Sequence, residues 1–142
     1  MKKSILGLFV LSGLLMADFV RDDAKEVVND TVTCLMWQDD NASKTVMKTW
    51  QEAIDYCEDK NFAGYEDWRL PNSNELYSIG DRSKVDPAIK DAFKNVNSFY
   101  YWSSTTHAEY HSHAWFMIFD YGYDDHNYKT EDRNVRCVRD GQ

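Results

Sequence analysis

The stretch Gly64-Tyr65-Glu66-Asp67-Trp68-Arg69-Leu70-Pro71-Asn72 joins two segments that carry strong helix signals. Connections usually hold small polar residues. This one sets a large aromatic, an arginine and a proline side by side, which places it within the packing of a domain rather than loose on its surface. Before it, Thr49 is followed three residues later by Glu52, a capping-box pattern. Trp50, Ala53, Ile54 and Cys57 then recur at helical spacing along one face. The pattern predicts a helix over residues 50–58 with Cys57 turned inward. After the stretch, Asn72 and Glu75 form a second cap pair, Leu76 and Ile79 supply a short apolar face, and Gly80 supplies a stop.

Towards the N-terminus, residues 19–22 and 27–30 flank a polar turn and read as a β-hairpin. Residues 33–37 form a third extended run, which ends in the turn cluster 38–41. Residues 81–97 are mostly polar, with Pro87, Ala88, Ile89, Ala92 and Phe93 spaced for one or two helical turns. From residue 99 the pattern turns to β. Residues 99–105 make an aromatic strand, and residues 113–121 make a nearly continuous apolar one. Residues 122–128 read as a tip rich in Asp, Asn, His and Tyr. Residues 134–139 alternate as a half-buried last strand, with Val135 and Cys137 pointing the same way. Two helices followed by antiparallel strands give an α+β class.

The chain of 142 residues fits a single domain, residues 18–142, behind an export signal. Lys2 and Lys3 precede a run of 12 largely apolar residues, and Ala17 offers a small residue at a cut site. Residues 1–17 therefore read as a signal peptide, too short for a membrane span. Removing them takes away two lysines and no acid, which moves the net charge from −8 to −10. Such a balance argues against nucleic acid and anionic membranes as partners. The expected location is the periplasm or the exterior of a bacterium, with no span in the mature chain. Trp, Tyr and Phe make up 15% of the residues, enough to fill a core in a domain this small.

An exported chain with three cysteines suggests one disulfide and one thiol left over. Cys57 and Cys137 both face inward by periodicity. Spacing alone leaves Cys34–Cys137 and Cys34–Cys57 open as alternatives.

Several pieces together resemble the Lcl C-terminal domain family of bacterial proteins. They are Thr33 with Leu35-Met36-Trp37-Gln38; Trp50, Glu52-Ala53 and Tyr56-Cys57; Trp68-Arg69-Leu70-Pro71-Asn72 with Glu75-Leu76; Tyr101-Trp102-Ser103-Ser104-Thr105; and Val135-Arg136-Cys137-Val138-Arg139. The resemblance implies a C-type-lectin-like fold, a small antiparallel sheet flanked by two helices, with a disulfide from the first helix to the last strand. It thereby pairs Cys57 with Cys137. A bridge over a loop of that length restricts the unfolded chain by roughly 4–5 kcal/mol in the entropic model. Cys34 is then the free thiol, expected to be buried, at a position where the family usually carries glycine.

For function, the resemblance implies a non-enzymatic binding or adhesion module. Its expected partner is a glycan or other surface polymer; the alternative is a structural or protein-interaction domain of the cell envelope, meeting an envelope protein and no small ligand. The candidate contacts lie in residues 67–72, 107–113 and 120–128, with Trp68, Arg69, His111, His113, Asp120, Asp124 and Asp125 as the named residues. Trp68 and Arg69 have a plainer reading as framework. Glu109, His111 and His113 would share one face of a strand and could offer metal ligands, although no fourth ligand is evident. Asp120, Asp124, Asp125 and Asn127 could gather oxygens for calcium, which many C-type lectins use at a comparable loop, but they do not fit an EF-hand. An acidic turn that stays wet is the plainer reading, so no metal or cofactor is assigned. Ser103, Ser104 and Thr105 near His107 lack a G-x-S-x-G turn, which leaves no catalytic set. The fold is also similar to that of formylglycine-generating oxidases. Those need a redox pair of cysteines, and a Cys57–Cys137 bridge leaves only Cys34.

Overall fold

The computed structural model describes residues 18–141. The expected signal segment, residues 1–17, lies outside the described residues. Among the described residues the fold is α+β, with nine strands and three short helices. β1 (Phe19–Asp22), β2 (Val27–Asp30), β3 (Leu35–Gln38) and β9 (Val138–Asp140) form an antiparallel sheet in the order β1-β2-β3-β9. β4 (Met47–Lys48), β8 (Arg133–Asn134), β5 (Tyr100–Thr106), β6 (His113–Ile118) and β7 (Tyr123–Tyr128) form a second sheet in the order β4-β8-β5-β6-β7. Within it, β5 and β8 meet in parallel through Tyr101 and Asn134.

α2 (Trp50–Glu58) carries the capping box of Thr49 and Glu52, and α3 (Ser73–Ser78) carries that of Asn72 and Glu75. Both match the boundaries that capping and periodicity predict. Strand alternation feeds two cores at once. Val27, Met36, Trp102, Ala114 and Phe116 pack with Ala53 and Cys57 of α2. Their neighbours Val28, Trp37, Tyr101 and Met117 turn the other way and pack with Leu76 and Ile79 beside α3. Burial on both faces explains the nearly unbroken apolar run of β6.

Cys57 and Cys137 are bridged, with an S–S distance of 2.09 Å and a sequence separation of 80. The bridge ties α2 to the residue before β9, as the resemblance implies. Trp68-Arg69 forms the other tie to β9. Arg69 N donates to Val138 O at 2.8 Å, and Val138 N donates to Arg69 O at 2.9 Å.

The α+β class holds, and five details need correction. Among the described residues the strands divide into two sheets, and a third helix joins the two expected. The added helix, α1 (Asn41–Thr45), is capped by Asp40, whose side chain accepts from Ser43 N. Residues 87–93 make no helix. Gly80 and Ile89 pair in a bridge instead; Ala88 is buried, and Ile89 and Phe93 are buried in the α3-side core. The last strand is split. Arg133 and Asn134 belong to one sheet and residues 138–140 to the other, so residues 135–137 cross between sheets, and all three are buried there. Residues 123–128 are not a loose tip but the edge strand β7, paired along its length to β6.

The fifth concerns Cys34, which is exposed rather than buried. It sits in the tight β2–β3 turn at φ 62°, and its backbone N donates to Asp30 O at 2.9 Å. A left-handed residue at a sharp turn is a place for glycine, because a Cβ there crowds the backbone. This fits the glycine that the resemblance implies at this position.

Candidate functional site

Arg139, Arg69 and Arg136 each meet acids, and these contacts define framework first. Arg139 Nε and Nη2 donate to Asp67 Oδ1 and Oδ2 at 2.6 and 3.0 Å. Hydrogen bonds from Arg139 hold the Asp67 carboxyl below its usual value. Arg69 donates to both Glu75 oxygens, each at 2.7 Å, and to Asp140 Oδ1 at 2.8 Å. Burial pushes the Glu75 carboxyl up, but Arg69 and the Asn72 N–H outweigh it and hold that carboxyl below its ordinary value. Trp68 is only 2% exposed, and its indole N–H is spent on the carbonyls of Phe62 and Tyr65 at 3.1 and 3.2 Å. Trp68 therefore presents no surface to a ligand, and Arg69 is engaged three ways.

The other two candidate segments, residues 107–113 and 120–128, do come together. β6 and β7 pair so that His113 faces Tyr128 and Trp115 faces His126. Alternation puts these four on the face that carries Met117, where Leu76 and Ser73 of α3 approach. At His113 and Trp115 that face is only half-buried. His107 and Tyr110, from the β5–β6 connection, fold onto it. The His107 ring stacks on Trp115 at 5.1 Å and lies 4.0 Å from His126, centroid to centroid. Tyr110 lies parallel to His126 at 5.9 Å, and His113 meets the edge of Tyr128 at 4.4 Å. The result is a platform of six rings drawn from three segments. Tyr110 and Tyr128 are 54% and 55% exposed upon it.

Local hydrogen bonds hold the platform in shape. His107 Nδ1 accepts from Glu109 N and Tyr110 N, both at 3.2 Å. His107 N and His113 O close the connection at 3.0 Å. Beside it, Lys129 Nζ donates to Thr106 Oγ1 at 2.9 Å and lies 3.9 Å above the Trp50 ring. On β7, His126 N donates to Asp125 Oδ1 and Tyr128 N to Asn127 Oδ1, at 2.8 and 2.7 Å. These side chains cover two backbone donors of an edge strand, which limits pairing with another chain.

Of the named residues, only His113 belongs to the platform. His111 lies in the exposed turn before β6, with Nε2 3.0 Å from Ala108 O. Glu109, His111 and His113 therefore do not share a strand face, because the strand begins only at His113. Asp124 and Asp125 are successive residues of β7 opposite Met117 and Phe116, so they point to opposite faces. Asp120 sits in the turn before β7, where its carbonyl accepts from Asp86 N at 2.8 Å. The three acids are not gathered around one point, and among the described residues no three His, Cys, Asp or Glu side chains form a metal-holding group. Ser103 is buried with its hydroxyl donating to Trp115 O at 2.7 Å, and Thr105 Oγ1 accepts from Ser73 N at 3.0 Å. The platform residues that sequence reasoning did not single out are Tyr110, His126 and Tyr128. Their one signal is the two-residue spacing of His113 with Trp115 and of His126 with Tyr128.

A second concave surface, a cleft of about 490 Å³, lies across Asp30, Cys34, Met36, Tyr65 and Arg139. Its two charged groups are already engaged within the protein: Asp30 Oδ1 accepts from Val32 N and Thr33 N, and Arg139 is paired with Asp67. Among the described residues, no helix is long and apolar enough to cross a membrane. No curated protein matches the chain. The model of the Lcl C-terminal domain matches residues 26–139, which is most of the chain, and the protein belongs to that family.

Proposed function

We propose that this protein is an exported, non-enzymatic binding module that recognises a glycan or other surface polymer. The observation that carries the reading is the platform of His107, Tyr110, His113, Trp115, His126 and Tyr128. Aromatic faces left half-exposed in a fixed arrangement offer apolar contact area with polar rims, which suits the mixed apolar and hydroxylated surface of a sugar. Four of the six rings lie on the paired β6–β7 ladder, and the segment carrying the other two is tied to it by the bond from His107 N to His113 O, so little ordering is needed when a ligand arrives. The disulfide supports an oxidising compartment, periplasmic or extracellular. The overall charge disfavours polyanionic polymers and favours neutral or amino-bearing ones.

The test is a broad glycan array probed with the exported protein, with calcium and with chelator. Selective binding that ignores the chelator supports the platform. Binding lost in chelator would move the site to the acids around Asp120, Asp124 and Asp125. A second reading, contact with an envelope protein, is favoured by Phe99, Tyr121 and Tyr123, all well exposed outside the platform. Absence of any glycan binding at low and physiological salt would select it.

A further inference from the structure

Within the platform, two imidazoles differ from the other two in the chain. His107 Nδ1 is spent on two backbone N–H groups, and His111 Nε2 on a carbonyl. His113 and His126 are aimed at each other, with their Nδ1 atoms 2.9 Å apart. Among the described residues, neither ring has another hydrogen-bond partner. They come from adjacent strands of a continuous ladder, and the bordering rings of Tyr110 and Tyr128 hold them in place. Their convergence is therefore fixed by the sheet.

We propose that His113 and His126 form a two-histidine site for a divalent transition metal, Cu(II) before the others because it heads the affinity order for nitrogen ligands. Two imidazole nitrogens 2.9 Å apart can become neighbouring ligands of one ion, at bonds of about 2.0–2.1 Å, once each ring turns its lone pair from the other nitrogen towards the metal. Without metal, one ring donates its Nδ1 proton to the other. Metal binding needs both Nδ1 lone pairs, so that proton moves to Nε2 of its own ring and the pair stays neutral. Solvent fills the remaining coordination positions, because no third protein ligand converges. The site is accordingly an open one on the surface and not a structural closure. This inference stands on the two imidazoles alone and does not depend on the polymer reading.

The experiment is titration of the protein, purified without a metal-binding tag, with Cu(II) alone, followed by electron paramagnetic resonance and calorimetry. The expected result is one tight Cu(II) per chain with two equatorial nitrogens. His113→Ala and His126→Ala should each weaken binding by at least about 10-fold, while His111→Ala leaves it unchanged. In the wild-type protein, substoichiometric Cu(II) should broaden the imidazole signals of His113 and His126 before those of His111, a readout that needs no variant to fold. Equal Cu(II) uptake by His113→Ala and His126→Ala, or broadening that begins elsewhere, would overturn the proposal. So would absence of binding by the wild type, which would leave the pair a hydrogen bond only.

Discussion

Arg136 Nη1 donates to Asp39 Oδ1 at 2.8 Å, and both side chains are fully buried. The same carboxylate accepts from Lys94 N and Asn95 N at 2.9 and 3.1 Å and pairs with Arg21. Arg136 also donates to Gln38 O and Asn95 O, both at 2.6 Å. One acid thus ties together the end of β3, the loop at residues 94–95, β1 and the crossing between the two sheets. Removing it strands a buried guanidinium. Asp39→Ala should cost roughly 3–5 kcal/mol in chemical denaturation, and Asp39→Asn less, because the amide still accepts from the backbone. A loss below about 1 kcal/mol would show that Arg136 finds another partner.

The disulfide has a direct chemical test. Thiol labelling of unfolded, unreduced protein should find one reactive cysteine, at Cys34, and three after reduction. Cys57→Ser with Cys137→Ser should lower stability by roughly 2–5 kcal/mol. Three reactive thiols before reduction would contradict the bridge.

Cys34 occupies a left-handed turn position with its side chain exposed. Cys34→Gly should therefore leave stability unchanged or raise it by up to about 1 kcal/mol, despite glycine's greater freedom in the unfolded chain. Cys34→Val should lower it, since a branched side chain tolerates that backbone least. Equilibrium unfolding of the two variants checks both signs.

Glu75 closes the α3 capping box and receives Arg69. Its carboxyl lies below its ordinary value of 4.5 in the folded state, and that of Asp67 lies below 3.8. For depressed carboxyls the stabilisation is present above the unfolded values and fades as pH falls through the folded ones, because the unfolded chain then binds more protons. Stability should accordingly drop below about pH 4.5. Glu75→Gln should cost about 1 kcal/mol at neutral pH, and the cost should shrink as pH falls through the lowered folded value of Glu75. A cost that does not change with pH would mean that Glu75 acts through packing alone.

Helices α2 and α3 were legible because their caps and apolar faces are written in consecutive residues. Cys57 and Cys137 were legible as inward positions for the same reason. What was not legible depends on partners far along the chain. Asp39 looks like one more turn acid until Arg136, 97 residues away, reaches it. The split of the last strand is set by Arg69 pairing with Val138 in one sheet while Asn134 pairs with Met47 in the other. β7 reads as a wet tip because an edge strand with little core contact needs no apolar alternation, and its sequence Tyr-Asp-Asp-His-Asn-Tyr shows none. The platform stayed hidden with it, since His126 and Tyr128 become neighbours of His113 only through the β6–β7 register.

The measurement that tests the account most directly compares the wild type with Tyr110→Ala, Tyr128→Ala and the double variant against the best ligand from a glycan array. These exposed rings contribute little to folding, so thermal stability should stay within about 0.5 kcal/mol of the wild type. The account predicts that each substitution weakens binding by about 10-fold or more, with no effect of chelator. Unchanged binding by a folded double variant, or a wild type that binds no polymer at all, would contradict it.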